Sequence, residues 1–382
     1  VRILLVGDYP PDPRLGSAKV VFKLQRELRV LGHTCDAMLS DALGRAPRNP
    51  YLRQALGPLA ALDAVRGVFR ERGAYDVVDV ASAEGLWIGL ARRCGWFDAT
   101  AVIARSNGLE HLNYRRMLDD HRAGLRRKPM TRRLFHPAVR LTQVAAAAWA
   151  ADRLLVLNRG DRQFAVDRGW KRPDLIDVVP HGVSAEFLDA APAPDHSRGG
   201  GLLFCGSWTE VKGVAYLAKA FSRFVEQGGR TSLTILGGAV PREAILSAFS
   251  LSARPLVTVT ERVPEREVMA SYRSHDALVW PSTYEGFGMV LLEAMSQRLP
   301  VIATPVGCAS ALVSHEETGL IVPARDPEQL TSAMARLLGD AALRARLAGA
   351  AFNRVRGMSW RHAARETLAA YERAMETRAR AA

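Results

Sequence analysis

The feature that most constrains this chain is a regular alternation of short apolar runs with longer amphipathic stretches. Ile3 to Val6 is the first such run. Tyr9-Pro10-Pro11-Asp12-Pro13 follows it and is not helical, because successive prolines lack N–H donors and restrict their neighbours. Val20, Val21, Leu24, Leu28 and Leu31 then recur at helical spacing, Gly32 stops the helix, and Cys35 to Leu39 resumes as a strand. A strand–helix–strand unit of this kind predicts an open parallel sheet. Val77 to Val80, Ala101 to Ala104, Leu154 to Leu157 and Ile176 to Val179 extend the series. The proline- and glycine-rich stretch from Leu188 to Gly201 reads as a domain junction. A second series begins at Leu202 to Gly206 and continues through Thr231 to Leu236, Leu256 to Val259, Ala277 to Trp280 and Pro300 to Ala303. A final helix is expected from Trp360 to Arg378. Two open α/β sheets place ligands at the carboxyl ends of their strands, so a central cleft between them is the expected site.

Composition narrows the function classes. Hydrophobic residues make up 48% and charged residues 24% of the 382, the balance of a soluble globular protein with two cores. No run of eighteen apolar residues is free of charge, so no membrane span is expected. Val1 to Gly7 reads as a buried strand rather than a signal peptide, and the expected location is cytoplasmic. Cys35, Cys94, Cys205 and Cys308 lie far apart with no C-x-x-C pair, which argues against zinc or redox chemistry. The net charge of +13 is concentrated. Between Arg105 and Arg140, nine Arg and one Lys face Glu110, Asp119 and Asp120, a local +7. Such a patch attracts an anionic membrane surface or nucleic acid. A solvated basic face from a chain rich in Arg accounts for it equally.

The segment that carries chemistry is Pro281-Ser-Thr-Tyr-Glu285-Gly-Phe-Gly-Met-Val-Leu-Leu-Glu293-Ala-Met. A strand ends just before it. Gly286 and Gly288 permit close backbone approach and unusual dihedrals. Val290, Leu291, Leu292 and Met295 then start a helix. A glycine-flanked helix N-terminus presents unpaired N–H groups and a positive dipole end, which suits a phosphate or diphosphate. Two carboxylates repel such an anion, but they accept hydrogen bonds from sugar and ribose hydroxyls. The alternative is that Glu285 caps the helix and Glu293 is a solvated helical residue.

This segment resembles the retaining glycosyltransferases of family 4, which share the GT-B fold, in its Glu, seven residues, Glu spacing. Val179-Pro-His-Gly-Val183, Leu203-Phe-Cys-Gly-Ser-Trp-Thr-Glu-Val-Lys-Gly213, Pro300-Val-Ile-Ala-Thr304, Gly307 and Thr318-Gly-Leu320 resemble further landmarks in the same order. The resemblance is strong over 176–330 and looser over 1–175. It implies an α/β fold of two Rossmann-like domains facing a central cleft. Residues 1–185, with a C-terminal helix at 360–382 crossing back, would form the acceptor-side domain; 186–359 would bind a nucleotide-sugar.

The resemblance also implies roles. Lys212 would neutralise the donor diphosphate. Backbone N–H groups of Phe287, Gly288 and Met289, with Gly286 beside them, would hold phosphate or sugar hydroxyls. Glu293 would bind the ribose, and Glu285 the transferred sugar. Gly16 would let backbone approach the diphosphate; Gly237, Arg262 and Val263 would border the nucleobase. Two positions depart from the family pattern. Ser207 stands where an Arg is usual, leaving Arg262 or Arg105 to supply the second cation. Asn107 stands where a His is usual; it hydrogen-bonds a hydroxyl but accepts no proton at neutral pH. His111, four residues on, is the remaining acceptor-side candidate.

The expected reaction is transfer of a hexose-type sugar from a nucleotide-diphosphate donor to a glycan or lipid-linked acceptor, with retention. No cofactor and no metal are expected, since the chain has no Asp-x-Asp. The residues around Arg115, Arg116, Leu118, Leu125, Arg126, Arg127, Lys128, Met130, Arg132, Arg133, Leu134 and Phe135 mix basic and apolar side chains. They fit an anionic membrane surface at its inner face. Nucleic acid is not expected, because Tyr114, Phe135 and Trp149 are too scattered to stack bases. The rival readings are a catalytically reduced protein of this fold acting through 105–140, or a sugar phosphorylase or epimerase.

Overall fold

The computed structural model describes residues 1–44, 47, 49–124, 130–193 and 198–379, except the side chains of Thr131 and Arg132. The chain divides into two compact units: Val1–His181 with Trp360–Ala382, and Gly182–Ser359.

The first unit is built on six parallel strands: β1 (Arg2–Val6), β2 (Thr34–Met38), β3 (Val77–Ala81), β4 (Ala101–Arg105), β5 (Arg153–Val156) and β6 (Ile176–Val178). Their order is β2-β1-β3-β4-β5-β6. The period-two alternation of strands sends successive side chains to opposite faces. Leu4, Val6, Val78, Val80, Val102 and Ala104 enter one core. Ile3, Leu5, Val77, Ala101 and Ile103 enter the other. Such strands are buried on both faces, which is why they read as continuous apolar runs. The connecting helices are α1 (Gly16–Val30), α2 (Pro50–Arg72), α3 (Gly85–Arg93), α4 (Glu110–Arg122), α5 (Met130–Phe135), α6 (Thr142–Ala150) and α7 (Arg159–Asp167), with a π-helical stretch at His136–Leu141.

The second unit repeats the plan with β7 (Leu202–Cys205), β8 (Leu233–Leu236), β9 (Val257–Thr260), β10 (Ala277–Trp280), β11 (Val301–Ala303) and β12 (Leu320–Ile321), ordered β12-β11-β10-β7-β8-β9 and all parallel. Its helices are α8 (Ala185–Asp189), α9 (Val214–Glu226), α10 (Arg242–Leu246), α11 (Glu265–Ser274), α12 (Met289–Ser296), α13 (Ala309–Leu312), α14 (Pro327–Gly339) and α15 (Ala341–Val355). The expected strands match to within two residues at either end, apart from β12, which is too short to show a periodicity.

The last helix, α16 (Trp360–Ala379), packs on α1 and β4 of the first unit. Its Tyr371 hydroxyl donates to buried Asp79. Arg361 reaches Glu27 and Arg373 reaches Asp177. The stretch 188–201 lies inside the second unit, and residues 194–197 are outside the described part. Arg198 ties it down. Its guanidinium donates to the carbonyls of Tyr272, Arg273 and His275, and to those of Gln297 and Arg298. It thereby satisfies carbonyls at and beyond the ends of α11 and α12, groups that helix termini leave unpaired.

Candidate functional site

In the second unit the candidate residues follow the carboxyl ends of four adjacent strands, β10, β7, β8 and β9. The loops after β10 and β7 are interlocked. Thr283 N–H donates to the Val211 carbonyl at 2.8 Å. Gly213 has φ +69, and a Cβ there would stand 1.9 Å from the Pro281 oxygen. Only glycine allows that approach. It brings Lys212 against Glu285: Nζ to Oε1 is 2.6 Å, and Ser282 Oγ donates to the same oxygen at 2.8 Å. The Glu285 side chain is 9% exposed and the Lys212 side chain 25%. Glu285 is therefore an ion-pair partner in a half-buried loop, and it does not cap the helix.

α12 starts immediately after this loop. Gly288 is its N-cap, with φ +102 and no side-chain cap. A Cβ at Gly288 would meet the buried Trp280 ring at 2.6 Å. Of the two glycines in the motif, Gly288 adopts the left-handed conformation and Gly286 does not. Met289 opens the helix. The first N–H groups of a helix have no acceptor within it and carry the positive dipole end. Phe287 is buried and its carbonyl accepts from Cys308 N–H. Glu293 is buried rather than solvated. Tyr272, on α11, donates its hydroxyl to Glu293 Oε2 at 3.2 Å and borders Cys205 Sγ at 3.6 Å. Burial, with Cys205 and Glu293 nearby, pushes the Tyr272 hydroxyl well above its usual range, so it stays a donor.

The loops after β8 and β9 complete the group. Gly237 N–H donates to Thr260, and Arg262 Nη2 reaches Ser207 Oγ at 3.3 Å. The exposed Arg262, in the loop after β9, is thus placed next to Ser207. Val263 follows in the same loop and is half-buried. Sequence reading missed Ser282 and Tyr272. Ser282 was accessible from its position in the strand-to-helix loop. Tyr272 had no local signal.

Gly16, Arg105, Asn107 and His111 belong to the first unit. Gly16 is the first residue of α1, which has no side-chain cap. Asn107 follows β4 and donates from Nδ2 to Tyr9 Oη at 3.0 Å; among the described residues its Oδ1 is buried without a partner. Ser82, after β3, has φ +55 and donates its hydroxyl to Glu110. Arg140 joins Glu110 and Glu84, at 3.1 and 2.7 Å. Burial works to raise the Glu110 carboxyl, yet Arg140 and Ser82 hold it below its usual range. Tyr9, Ser82, Glu84 and Arg140 were not singled out in the sequence, because their link runs through neighbouring strands.

Arg105 needs a correction. Its guanidinium is buried, reaches Asp79 at 2.6 Å and lies beside Thr367. It is an internal clamp between β3, β4 and α16, not a free cation for a ligand. His111 packs on Trp170, ring centroids 4.5 Å apart, and burial lowers its pKa to about 4. The basic run is partly paired. Arg116 pairs with Asp120 and Arg140 with Glu110 inside the run, while Asp79 and Glu84 from outside it pair with Arg105 and Arg140 and so neutralise part of the local excess. Leu125, Arg126, Arg127, Lys128 and the Arg132 side chain lie outside the described residues. Of the cysteines, Cys35 and Cys308 are buried, while Cys94 is exposed. Among the described residues no His, Cys, Asp and Glu cluster of three or more is placed to hold a metal ion, and no helix is long and apolar enough to cross a membrane.

Residues 199–340 match the family described as glycosyl transferases group 1. That stretch holds the candidate residues from Ser207 to Glu293. The D-inositol 3-phosphate glycosyltransferase of Frankia alni is similar, 31% identical over 58% of this chain and 59% of its own length. The chain spans about three fifths of the curated relatives it matches first, 59% and 62% of their lengths. The sucrose-phosphate synthase structure from Thermosynechococcus elongatus has a TM-score of 0.75 at 21% identity, covering 98% of this chain and 99% of that one. The Anabaena HepE structure in complex with UDP has a TM-score of 0.69 at 14% identity, covering 96% and 98%. These likenesses show the GT-B fold, with two parallel six-stranded Rossmann-like sheets.

Proposed function

We propose that this protein is a retaining glycosyltransferase that moves a hexose-type sugar from a nucleotide-diphosphate donor to a glycan or lipid-linked acceptor. The observation that carries this reading is the Lys212 ammonium, 2.6 Å from Glu285, whose loop leads into the uncapped N-terminus of α12. A diphosphate is dianionic or more and needs cations and oriented N–H groups. Lys212, Arg262 and the amides of Phe287, Gly288 and Met289 supply them. Glu293, buried and oriented by Tyr272, accepts from the ribose hydroxyls. Glu285 accepts from the transferred sugar, and Gly237 and Val263 border the base.

In the reaction, the bond from the anomeric carbon to the diphosphate oxygen breaks as the acceptor oxygen bonds to the same face. The acceptor proton passes to the departing phosphate oxygen. Charge grows on the diphosphate, so Lys212 and the helix N-terminus act where electrostatic stabilisation is usually the largest catalytic contribution. This scheme needs no base at Asn107, whose part is to hold a hydroxyl, and it needs no metal.

The curated relatives are named for an inositol phosphate, and a solved relative holds UDP. UDP-sugars and a phosphorylated polyol are therefore the first probes. A thermal-shift screen of UDP, GDP and ADP with their sugar conjugates tests the donor, and proton NMR of the product tests retention. A shift with one nucleotide series, with turnover unchanged by EDTA, supports the reading; an inverted product or no shift with any series overturns it. A place at the inner face of an anionic membrane is part of the proposal. Leu52, Leu56 and Leu59 form an exposed stripe on α2, and Met130 and Leu134 are exposed on α5. Tyr51 and Phe135 join these two helices, with ring centroids 4.9 Å apart. Failure to co-sediment with anionic vesicles at low salt removes that part.

A further inference from the structure

A groove of about 660 Å3 runs along α4 in the first unit, and of its lining only His111 was given an acceptor-side role above. That size falls among small-molecule sites, roughly 300–1,000 Å3. His111, Arg115, Leu118 and Arg122 line it. They recur at three- and four-residue spacing, so one helix face forms the wall. Phe164 of α7 and Trp170 face them. Trp170 packs 4.5 Å from the His111 ring and 5.5 Å from Phe164, giving an aromatic floor.

The rim is cationic. The guanidiniums of Arg115 and Arg168 stand 4.9 and 5.2 Å from the Phe164 centroid. Among the described residues neither makes an ion pair. The groove's one carboxylate, Asp119, is already taken by Arg122 at 3.2 Å. Among the described residues His111 Nδ1 is buried with no partner. Guanidinium planes resting on an aromatic face are held in place while their N–H edges stay free, an arrangement that suits a phosphate.

We propose that this groove binds an amphiphilic phosphate monoester, its apolar chain on Phe164, Trp170 and Leu118 and its phosphate between Arg115 and Arg168. Charge complementarity favours an anion, and the aromatic floor favours one with an apolar body over inorganic phosphate. The site lies in the other unit from the nucleotide residues, so it stands or falls separately from the donor reading.

Isothermal titration of the full chain with decyl phosphate tests it. One molecule should bind per chain, at least tenfold tighter than decanol and tenfold tighter than inorganic phosphate. The double variant Arg115→Ala, Arg168→Ala should lose at least tenfold in affinity with its melting temperature unchanged. If that variant melts early, Arg115→Lys, Arg168→Lys keeps the charge, and weaker binding by it makes the same point. Equal affinity for decanol, equal affinity in the variants, or no binding of decyl phosphate overturns the proposal. Vesicles of phosphatidylcholine with phosphatidic acid separate the sources. Binding to them that decyl phosphate displaces assigns a membrane lipid; binding of decyl phosphate alone assigns a free monoester. Vesicle binding that decyl phosphate leaves unaffected belongs to another surface and counts against the groove.

Discussion

Lys212 and Glu285 lie 73 residues apart in sequence and 2.6 Å apart in the fold, with Ser282 donating to the same carboxylate oxygen. The cation proposed for the diphosphate is thus positioned in advance by a neighbouring acid. The two partners should fail differently. Lys212→Ala removes stabilisation of developing charge and should lower turnover on the order of a hundredfold, about 3 kcal/mol. Glu285→Gln removes a negative charge from the diphosphate's surroundings. It should tighten UDP or GDP binding several-fold while turnover falls. Steady-state kinetics with titration of the free nucleotide checks both. Unchanged turnover in Lys212→Ala excludes the role.

Glu293 is buried and receives the Tyr272 hydroxyl. Nucleotide binding should raise the native state's stability by about 2.7 kcal/mol at a hundredfold excess over Kd. Glu293→Ala should abolish that shift, and Tyr272→Phe should reduce it. A full shift in Glu293→Ala would place the ribose elsewhere.

Gly213 is where the two loops of the site meet. A methyl group there would overlap the Pro281 oxygen, 1.9 Å away, at a left-handed φ of +69. Gly213→Ala should cost about 3 kcal/mol or more, through overlap and backbone strain together. Urea unfolding measures it. A midpoint equal to the wild type would show that the loops part without cost.

Much of the acid sensitivity should reside in the first unit. Burial lowers His181 to about 3 and His111 to about 4. Both are neutral in the native state at pH values where the unfolded chain takes up protons. Their contribution is complete above the ordinary value near 6.5. It is lost as pH falls from there through about 4 and then about 3. Stability should therefore fall with acidification below pH 6.5, and His111→Gln should flatten that slope. Denaturant midpoints between pH 7 and 4 test it; identical slopes would mean that other groups dominate.

The parallel sheets were legible because strands buried on both faces must be apolar throughout, and Ala277–Trp280 can be read to the residue. Glu285 and Glu293 were legible because one loop and one helix carry both. Arg105 was not. Its partner Asp79 lies on the adjacent strand, where Ala81 pairs with Arg105, and strand order cannot be read from one strand. Arg140 joins Glu84 and Glu110 across 56 and 30 residues in the same way, so the run of basic residues seemed more exposed than it is. Glycine and proline marked 188–201 as a boundary. They gave no sign that Arg198 would hold five carbonyls around two helix ends.

Asp79, Arg105 and Tyr371 form one buried cluster, yet Tyr371 follows the whole of the second unit in sequence. On a ribosome, β3 and β4 emerge with a charged pair whose cover has not been translated. The first unit must wait, incomplete, while 178 residues of the second, Gly182–Ser359, are made. The two halves are consequently tied in time: the earlier one acquires its final helix only after the later one has left the tunnel.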